Sequence, residues 1–505
     1  MNHWVIAPIL LPLAAAIVLL LLGIGRRRVQ RGLGLASVIG QVALALGLLA
    51  YADGGELLVY RLGDWPTPFG IVLVLDRLSA LMLAVTACIA LFSLWYALQG
   101  TDERGRNFHA LFQFQLAGLN GAFLTGDVFN LFVFFELLLI ASYALLLHGG
   151  GAERLRNGIH YVVFNLVASA LFLVGVAMLY ASLGTLNMAD MARAVAELPP
   201  ERSDMAHAGG LVLLVVFGAK AAVLPLYFWL PSAYRSATAP VAALFSVMTK
   251  VGAYAILRLF TLVFGPDAGP TGSIAEPWIL GVALATLAAG TLGLLASRDV
   301  RTLIAYSVVI SVGMLLGGIG LFSVEGIRAG VYYLAQSTLV LAGLFLLADL
   351  IARQRHVLGD RLESGTALER RGLLGILFLA GAVAVVGLPP LSGFVGKALL
   401  LQAAVDLEAV RWVWPVVLVS SALSLVAFSR AGSVLFWKSG GRAPERETPA
   451  LAPGLWVPCA CLLAFAALFI IAAAPALEYA DATARQLLDP SVYVRAVLET
   501  ANVSR

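Results

Sequence analysis

The sequence is poor in charge. Asp, Glu, Lys and Arg make up only 12% of its 505 residues, and 61% are hydrophobic, whereas a soluble globular protein carries about 25% charged residues. Apolar runs of eighteen or more residues recur along the whole chain, and each is long enough for a helix that crosses a membrane. The lack of charge therefore excludes a soluble protein and predicts an all-α polytopic membrane protein, solvated by the lipid bilayer.

Cofactor motifs are also lacking. The three cysteines, Cys88, Cys459 and Cys461, lie in apolar runs with no iron–sulfur or zinc spacing, which predicts that they fill hydrophobic space. The sequence contains neither G-x-G-x-x-G nor a Walker-type phosphate loop, so we predict no cofactor and no metal. The net charge of +4 comes from arginines scattered among short loops, which excludes a basic groove for nucleic acid.

The apolar runs predict fourteen membrane spans. They cover residues 4–22, 33–51, 70–98, 108–125, 128–147, 158–181, 208–230, 238–262, 277–295, 302–321, 326–351, 372–403, 411–436 and 452–474. We expect four parts: three N-terminal spans (1–107), two five-helix halves (108–262 and 277–438), and a final span with a tail (452–505). The basic residues that follow the first span, and do not precede it, predict an uncleaved helix and not a signal peptide.

Arginines distinguish the two sides of the membrane. Loops after odd-numbered spans hold clusters of them, whereas loops after even-numbered spans carry few; the odd-loop clusters include Arg26, Arg27, Arg28, Arg31, Arg104, Arg106, Arg154, Arg156, Arg442 and Arg446. Cytoplasmic loops are enriched in Lys and Arg. The pattern therefore predicts odd-numbered loops in the cytoplasm and both termini outside.

Lysine is rare, and most of the lysines lie inside apolar runs, where a membrane protein seldom carries charge. The chain has four lysines, and Lys220, Lys250 and Lys397 lie inside apolar runs while Lys438 lies in a loop. A charged side chain at the membrane centre costs about 2.5–3.5 kcal/mol on insertion scales, so it usually faces a bundle interior or water. A buried lysine, unlike arginine, can exchange its proton near neutral pH. Snorkelling to the interface is the alternative, and it fits Lys397 better than the other two.

One acid also lies in mid-span. Glu136 has apolar neighbours on both sides, so it requires a partner or water, and a Lys–Glu pair in a bundle would titrate as a coupled unit. Asp127, at the start of the same helix, is predicted to be its N-cap. Asp76 and Asp349 lie toward span ends, which predicts interfacial positions.

Two spans contain helix-breaking prolines. Pro225 leaves the carbonyl of Ala221, one turn earlier, without its helical donor. Irregular backbone is tolerated in a membrane only where it lines protein or a cavity, so we predict a hydrated break beside Lys220. Pro389 and Pro390 interrupt span 372–403 shortly before Lys397.

Paired breaks in corresponding positions indicate a transporter's ion site. With spans 4–8 and 9–13 as two five-helix halves, the odd number of spans would invert the second half relative to the first. No repeat is visible residue by residue.

Three segments carry a family resemblance. FGAKAAVLPLYFWLPSAYRSATAPVAALFSVMTKVGAYAILRLF (217–260), TGDVFNLFVFFE (125–136) and GLPPLSGFVGK (387–397) resemble the antiporter-like subunits of respiratory complex I and of the Mrp/Pha multisubunit cation/proton antiporters, most closely the D-type subunits. The resemblance covers spans 3 to 13.

The resemblance implies a lateral polar axis for translocation at the membrane midplane, formed by Glu136, Lys220, Lys250 and Lys397. It also implies partner membrane subunits, exchange of outside protons for internal Na⁺ or K⁺, and a bacterial cytoplasmic membrane. Related subunits often have a histidine or lysine on the eleventh span, where this chain has Gln336. Glutamine holds water but does not titrate, so a water wire is expected there.

Two other interpretations stay open. A proton-pumping subunit of a redox complex, such as complex I or a membrane-bound hydrogenase, would use the same lysine chain. An inert scaffold would not need four ionisable residues at mid-membrane depth. We therefore predict a transport subunit in preference to a catalytic redox subunit.

Overall fold

The computed structural model describes residues 3–23, 25–365, 368, 370–439 and 451–499. Arg442 and Arg446, which contribute to the predicted charge asymmetry, lie outside these residues. Within them, the chain is almost entirely helical, and eleven helices have the length and composition to cross a membrane. The other predicted spans fall on the shorter helices α1 and α4 and on the pair α15–α16.

The elements follow one another with short connections. The helices are Ala7–Leu21 (α1), Arg27–Asp53 (α2), Arg77–Ala97 (α3), Phe108–Leu124 (α4), Val128–Leu146 (α5), Ala152–Leu183 (α6), Met188–Ala196 (α7), Ser203–Ala221 (α8), Trp229–Ser236 (α9), Ala239–Phe245 (α10), Met248–Leu262 (α11), Glu276–Ala296 (α12), Val300–Ile319 (α13), Val324–Gln354 (α14), Arg371–Val386 (α15), Ser392–Ala403 (α16), Val410–Gly432 (α17), Pro453–Ile471 (α18), Ala473–Leu488 (α19) and Pro490–Leu498 (α20). The strands Leu58–Arg61 (β1) and Val72–Leu75 (β2) pair antiparallel.

One predicted boundary was wrong, and one predicted span contains a break that the sequence did not indicate. The third span was expected over 70–98, but residues 72–75 form β2 and the helix begins at Arg77. All four residues of β2 are buried, so the strand has the pattern of a continuous apolar run, with no alternation to separate it from a helix. The eighth span, predicted over 238–262, is present over Ala239–Leu262, and within it Ser246 and Val247 separate α10 from α11.

Both predicted helix breaks are present. The seventh span ends its first helix at Ala221 and resumes at Trp229, and the twelfth stops at Val386 and resumes at Ser392. Pro225 lies in the first gap, and Pro389 and Pro390 lie in the second. Helix α14, buried along almost its whole length, packs against α13 and against both parts of the second broken span.

Matching junctions reveal the inverted repeat. Asp127 caps α5 and Asp299 caps α13, each by accepting a hydrogen bond from the backbone amide three residues later. Each aspartate also forms an isolated antiparallel bridge with a residue that follows the next two long helices, Asp127 with Asn187 and Asp299 with Arg361. Because α5 and α13 are five membrane crossings apart, the two junctions lie at opposite faces and the second half is inverted. The predicted capping role of Asp127 is confirmed.

A buried ion pair joins the N-terminal spans to the first half. Arg258 on α11 contacts the carboxylate of Asp76 at 2.6 Å, with 5% and 1% of the two side chains exposed. The guanidinium also lies over the rings of Tyr254 and Tyr493, the latter on α20. Asp76 and Asp349 do lie toward helix ends, as predicted, but both face protein: Asp349 pairs with Arg301 and Arg353.

The packing of α11 against α8 generates a stability prediction. A Cβ added at Gly252 would lie 2.4 Å from the Ala221 amide nitrogen and 2.7 Å from the Phe217 carbonyl oxygen. Backbone atoms cannot move aside as a flexible side chain can, so we expect Gly252→Ala to destabilise the protein by about 1–3 kcal/mol, the usual cost of overpacking.

Thermal unfolding of the purified protein in detergent measures this effect. Gly281→Ala is the matched control, because nothing lies within 4 Å of the added Cβ there. Equal melting temperatures for the two variants would contradict the proposed close approach of the helices.

Candidate functional site

Lys220 and Glu136 are linked through a serine. The ammonium of Lys220 donates to the Ser169 hydroxyl at 3.2 Å, and that hydroxyl donates to Oε1 of Glu136. Among the described residues, no ion pair joins the lysine and the glutamate directly. The three groups therefore form a directed relay from an ammonium through a hydroxyl to a carboxylate.

The relay is built from three helices. Lys220 lies in the last turn of α8, Ser169 on α6 and Glu136 on α5. Asn165, one turn before Ser169 on the same face of α6, offers its backbone and side-chain oxygens to Lys220 at 3.5 Å each. The ring of Phe135 adds a cation–π contact, with its centroid 5.8 Å from the ammonium nitrogen.

The first break differs from the sequence-based prediction. Ala222 adopts a left-handed conformation with φ of 62° and ends α8, and the Leu224 amide donates to the Thr286 hydroxyl of α12 at 2.9 Å. The hydrogen bonds of Lys220 go to α6 and not to the Ala221 carbonyl. Lys220 lies beside the break, as predicted, but its side chain turns away from the break toward the polar face of α6.

At the second break a lysine does contact a backbone carbonyl. Lys397 on α16 donates to the Val386 carbonyl at the end of α15 at 2.6 Å, and to the Ser421 hydroxyl of α17 at 2.9 Å. Its side chain is 6% exposed. Because the ammonium reaches back into the bundle and not outward, the snorkelling alternative for Lys397 was wrong.

Lys250 is fully buried and contacts two hydroxyls. Its ammonium donates to the Ser311 hydroxyl of α13 at 2.6 Å and to its neighbour Thr249 at 3.4 Å. Ser311 donates its own proton to the Val308 carbonyl. Within the described residues, no ion pair involves this ammonium group, so its charge is balanced by dipoles.

A small cavity of about 10 Å³ lies between Ser311 and the end of α15, where Ala384 and Val385 line it. Gln336 lines it together with Ser307, Ser311 and Ser337. The side-chain oxygen of Gln336 accepts a hydrogen bond from the Ser392 hydroxyl at 3.2 Å, and Ser392 begins the helix that carries Lys397. Gln336 therefore lies between the surroundings of Lys250 and those of Lys397.

The predicted site residues thus form two polar groups. Glu136 and Lys220 join through Ser169, while Lys250, Gln336 and Lys397 are connected by hydroxyls and the cavity. The two groups meet where α11 packs on α8, since a Cβ at Gly252 would touch the Lys220 backbone at 2.8 Å.

Sequence analysis missed the oxygens that hold the lysines. Asn165, Ser169, Ser311 and Ser421 are small polar residues in apolar spans, and none was singled out. Pairs four residues apart were a usable signal, because Asn165 with Ser169 and Ser307 with Ser311 each share one helix face. Which of the serines meets a lysine depends on contacts between distant helices.

The described residues contain no cluster of three or more His, Cys, Asp or Glu side chains that could hold a metal. The three cysteines are unpaired by disulfides, and the buried Cys459 thiol contacts the Gly343 carbonyl at 3.4 Å.

The chain matches known proteins in both sequence and structure. Residues 125–424 match the family described as NADH:quinone oxidoreductase/Mrp antiporter, transmembrane. The D-type subunit of a probable K⁺/H⁺ antiporter of Rhizobium meliloti is 42% identical, with 99% of this chain and 98% of that protein covered. The D-type subunit of the Na⁺/H⁺ antiporter of Bacillus subtilis is 38% identical, with 99% and 100% covered.

A solved structure of the Mrp complex from a Dietzia species contains a chain that superposes with a TM-score of 0.89 at 28% identity, covering 99% of this chain and 100% of that one. The chain therefore belongs to the NADH:quinone oxidoreductase/Mrp antiporter family. Within it, the similarity is to the D-type subunits of Mrp-type antiporters, which confirms the resemblance identified from residues 217–260.

The serine relay generates a second prediction. In Ser169→Ala the hydroxyl that joins Lys220 to Glu136 is removed, so we expect transport to fall strongly, by about 10²-fold or more, the low end for loss of a positioned proton-transfer group. Antiport in inverted vesicles containing the whole complex is the measurement.

Ser182→Ala is the matched control. Ser182 lies on the same helix, but its hydroxyl bonds to the Met178 and Leu179 carbonyls of that helix, so we expect wild-type rates. Normal transport by Ser169→Ala would show that the relay has no part in translocation.

Proposed function

We propose that this chain is the D-type membrane subunit of a multisubunit monovalent cation/proton antiporter and that it conducts protons along the axis of Glu136, Lys220, Lys250 and Lys397. The observation that carries the proposal is the Lys220–Ser169–Glu136 relay, a proton-transfer geometry placed inside the membrane. The names of the relatives at 42% and 38% identity support the same activity.

The relay permits one balanced proton shift. The ammonium of Lys220 gives a proton to the Ser169 oxygen as the Ser169 hydroxyl proton moves to the Glu136 carboxylate. One N–H and one O–H bond break and two O–H bonds form, so the ion pair becomes an amine and a carboxylic acid. Burial favours the neutral pair and the mutual attraction favours the charged one, so the unit has two accessible states.

The state of Lys220 influences its neighbour. A charged Lys220 repels a proton on Lys250 across the α8–α11 contact, because a low-dielectric interior weakens screening. Neutralising Lys220 through Glu136 relieves that repulsion and favours a proton on Lys250. A proton leaving Lys250 would then move toward Lys397 past Ser311, Gln336 and Ser392, beside a cavity of about 10 Å³ that has room for at most one water molecule.

The two breaks give the axis its polar environment. Prolines prevent a continuous helix at both breaks: Pro225 at the first, and Pro389 and Pro390 at the second. The Leu224 amide freed at the first break binds Thr286, and the Val386 carbonyl freed at the second binds Lys397. In a bilayer such groups must be satisfied within the protein, so each break is an internally lined polar spot at the depth of the lysines.

The wider setting follows from the family. The structural relative belongs to a complex, so other membrane subunits are partners of this chain. We further propose that protons and Na⁺ or K⁺ are the transported ions, that the complex resides in a bacterial cytoplasmic membrane with both termini outside, and that the chain divides into parts 1–107, 108–262, 277–438 and 452–505.

Exchange of Lys220 tests the mechanism. We expect Lys220→Ala to abolish antiport, and Lys220→Arg to abolish it as well, because arginine keeps the charge but does not release its proton. Transport is measured in vesicles, and assembly is checked by copurification of the partner subunits.

Lys438→Ala is the control, since Lys438 is exposed and lies outside the axis. Wild-type transport in Lys220→Arg would mean that Lys220 acts as a fixed charge, and normal antiport in Lys220→Ala would remove it from the mechanism.

The same family includes subunits of NADH:quinone oxidoreductase, which makes a proton pump of a redox complex the second candidate. Gentle purification of the native assembly separates the two. We expect a colourless set of membrane subunits that supports Na⁺- or K⁺-dependent proton exchange in vesicles. Flavin or iron–sulfur absorbance with large peripheral subunits would assign the chain to a redox pump.

A further inference from the structure

A groove between α15 and α17 has no role in the proton axis. It encloses about 750 Å³ and is lined chiefly by apolar side chains of the two helices, with Arg371 and Trp437 at one end and Val386 and Leu388 at the other. This volume lies within the range of pockets that hold small ligands, about 300–1,000 Å³.

The groove opens sideways toward the lipid. Ile376 and Leu379 on its α15 wall are 68% and 63% exposed. Its width comes from glycine: nothing lies within 4 Å of a Cβ added at Gly372, and at Gly375 the nearest atom is on Phe436 at 3.7 Å. These glycines are not required for a close approach of the helices, since both positions have room for a side chain.

The groove has the length and the charge of a lipid site. From Arg371 to Val386, α15 rises about 22 Å, which exceeds one leaflet of a hydrocarbon core about 30 Å thick. Arg370 and Arg371, both exposed, stand where that helix enters the membrane, and no carboxylate is among the described lining residues. Trp437 at the same end is a residue type enriched at the membrane–water interface.

A second groove shows that arginines at one end do not by themselves make a groove suitable for an anionic lipid. It lies between α6 and α9, and it also has arginines at its polar end, Arg156 and Arg235. There Arg235 is already neutralised by Glu153 and Asp299, each at 3.0 Å. The α15–α17 groove combines a basic end with an apolar length and lacks such carboxylates among its described lining residues.

We propose that the α15–α17 groove binds an anionic phospholipid, with the phosphate at Arg370 and Arg371 and one acyl chain along α15 as far as Val386. The acyl chain would then pack against Val386, whose carbonyl accepts the hydrogen bond from Lys397. A bound lipid therefore supports the backbone at the second break from its lipid-facing side. This last consequence rests on the proposed function, whereas lipid binding itself does not.

Native mass spectrometry of the purified complex tests the site, with phosphatidylglycerol as the added probe. Each basic residue near a membrane surface contributes about a fivefold change in affinity for anionic lipid. We expect the double variant Arg370→Gln/Arg371→Gln to retain the probe roughly 25-fold more weakly. The control Arg26→Gln/Arg28→Gln, which removes two exposed arginines at the start of α2, should retain it as the wild type does.

A second pair of variants tests the acyl-chain part without changing charge. Gly375→Leu fills the groove and should also lose the probe, whereas Gly281→Leu places the same side chain on an exposed part of α12 and should not. Unchanged retention in both groove variants overturns the proposal. So does a crosslink from Ile376→Cys to a neighbouring subunit, because the groove would then hold protein. Retention of the lipid is measured without any transport assay. A negative result would therefore overturn lipid binding and leave the antiport proposal unaffected.

Discussion

An ammonium group inside a bilayer must be surrounded by oxygen atoms, and the arrangement of helices in this protein depends on that requirement. Lys220, Lys250 and Lys397 are each at most 6% exposed, and each donates to a serine on another helix. Transfer of an unpaired charge into the interior would cost several kcal/mol. These contacts therefore connect α8 to α6, α11 to α13 and α16 to α17. They fix which helices are neighbours inside the membrane, because apolar packing alone is not directional.

The helix breaks follow from the same constraint. Backbone groups freed by a break must find partners inside the protein. At the first break the partner is Thr286 of α12, and at the second it is Lys397 of α16, the helix that follows the break. A change at either break is consequently felt by a neighbouring helix. At the second break the backbone and the lysine share one hydrogen bond, whereas at the first break Thr286 joins the backbone to α12 without a titratable group.

The inverted repeat is symmetric in its scaffold and asymmetric in its chemistry. Asp127 and Asp299 cap equivalent helices and form equivalent bridges. The relay to a carboxylate, however, belongs to the first half, while Lys250 and Lys397 meet hydroxyl and carbonyl oxygens. In the proposed mechanism Lys220 can pass its proton to a carboxylate through Ser169, whereas Lys250 in the same half and Lys397 in the second half have only hydroxyl and carbonyl oxygens within hydrogen-bond distance.

The apolar runs, the proline breaks and the mid-span Lys and Glu residues were determined by the sequence itself, since each rests on local composition and on the cost of charge in lipid. Tertiary structure decided the rest. The sequence contains many serines in apolar spans, and only helix packing selected Ser169, Ser311 and Ser421 as lysine partners. It likewise turned Lys220 toward α6 and Lys397 toward Val386, because a side chain's direction depends on the oxygens that neighbouring helices present to it.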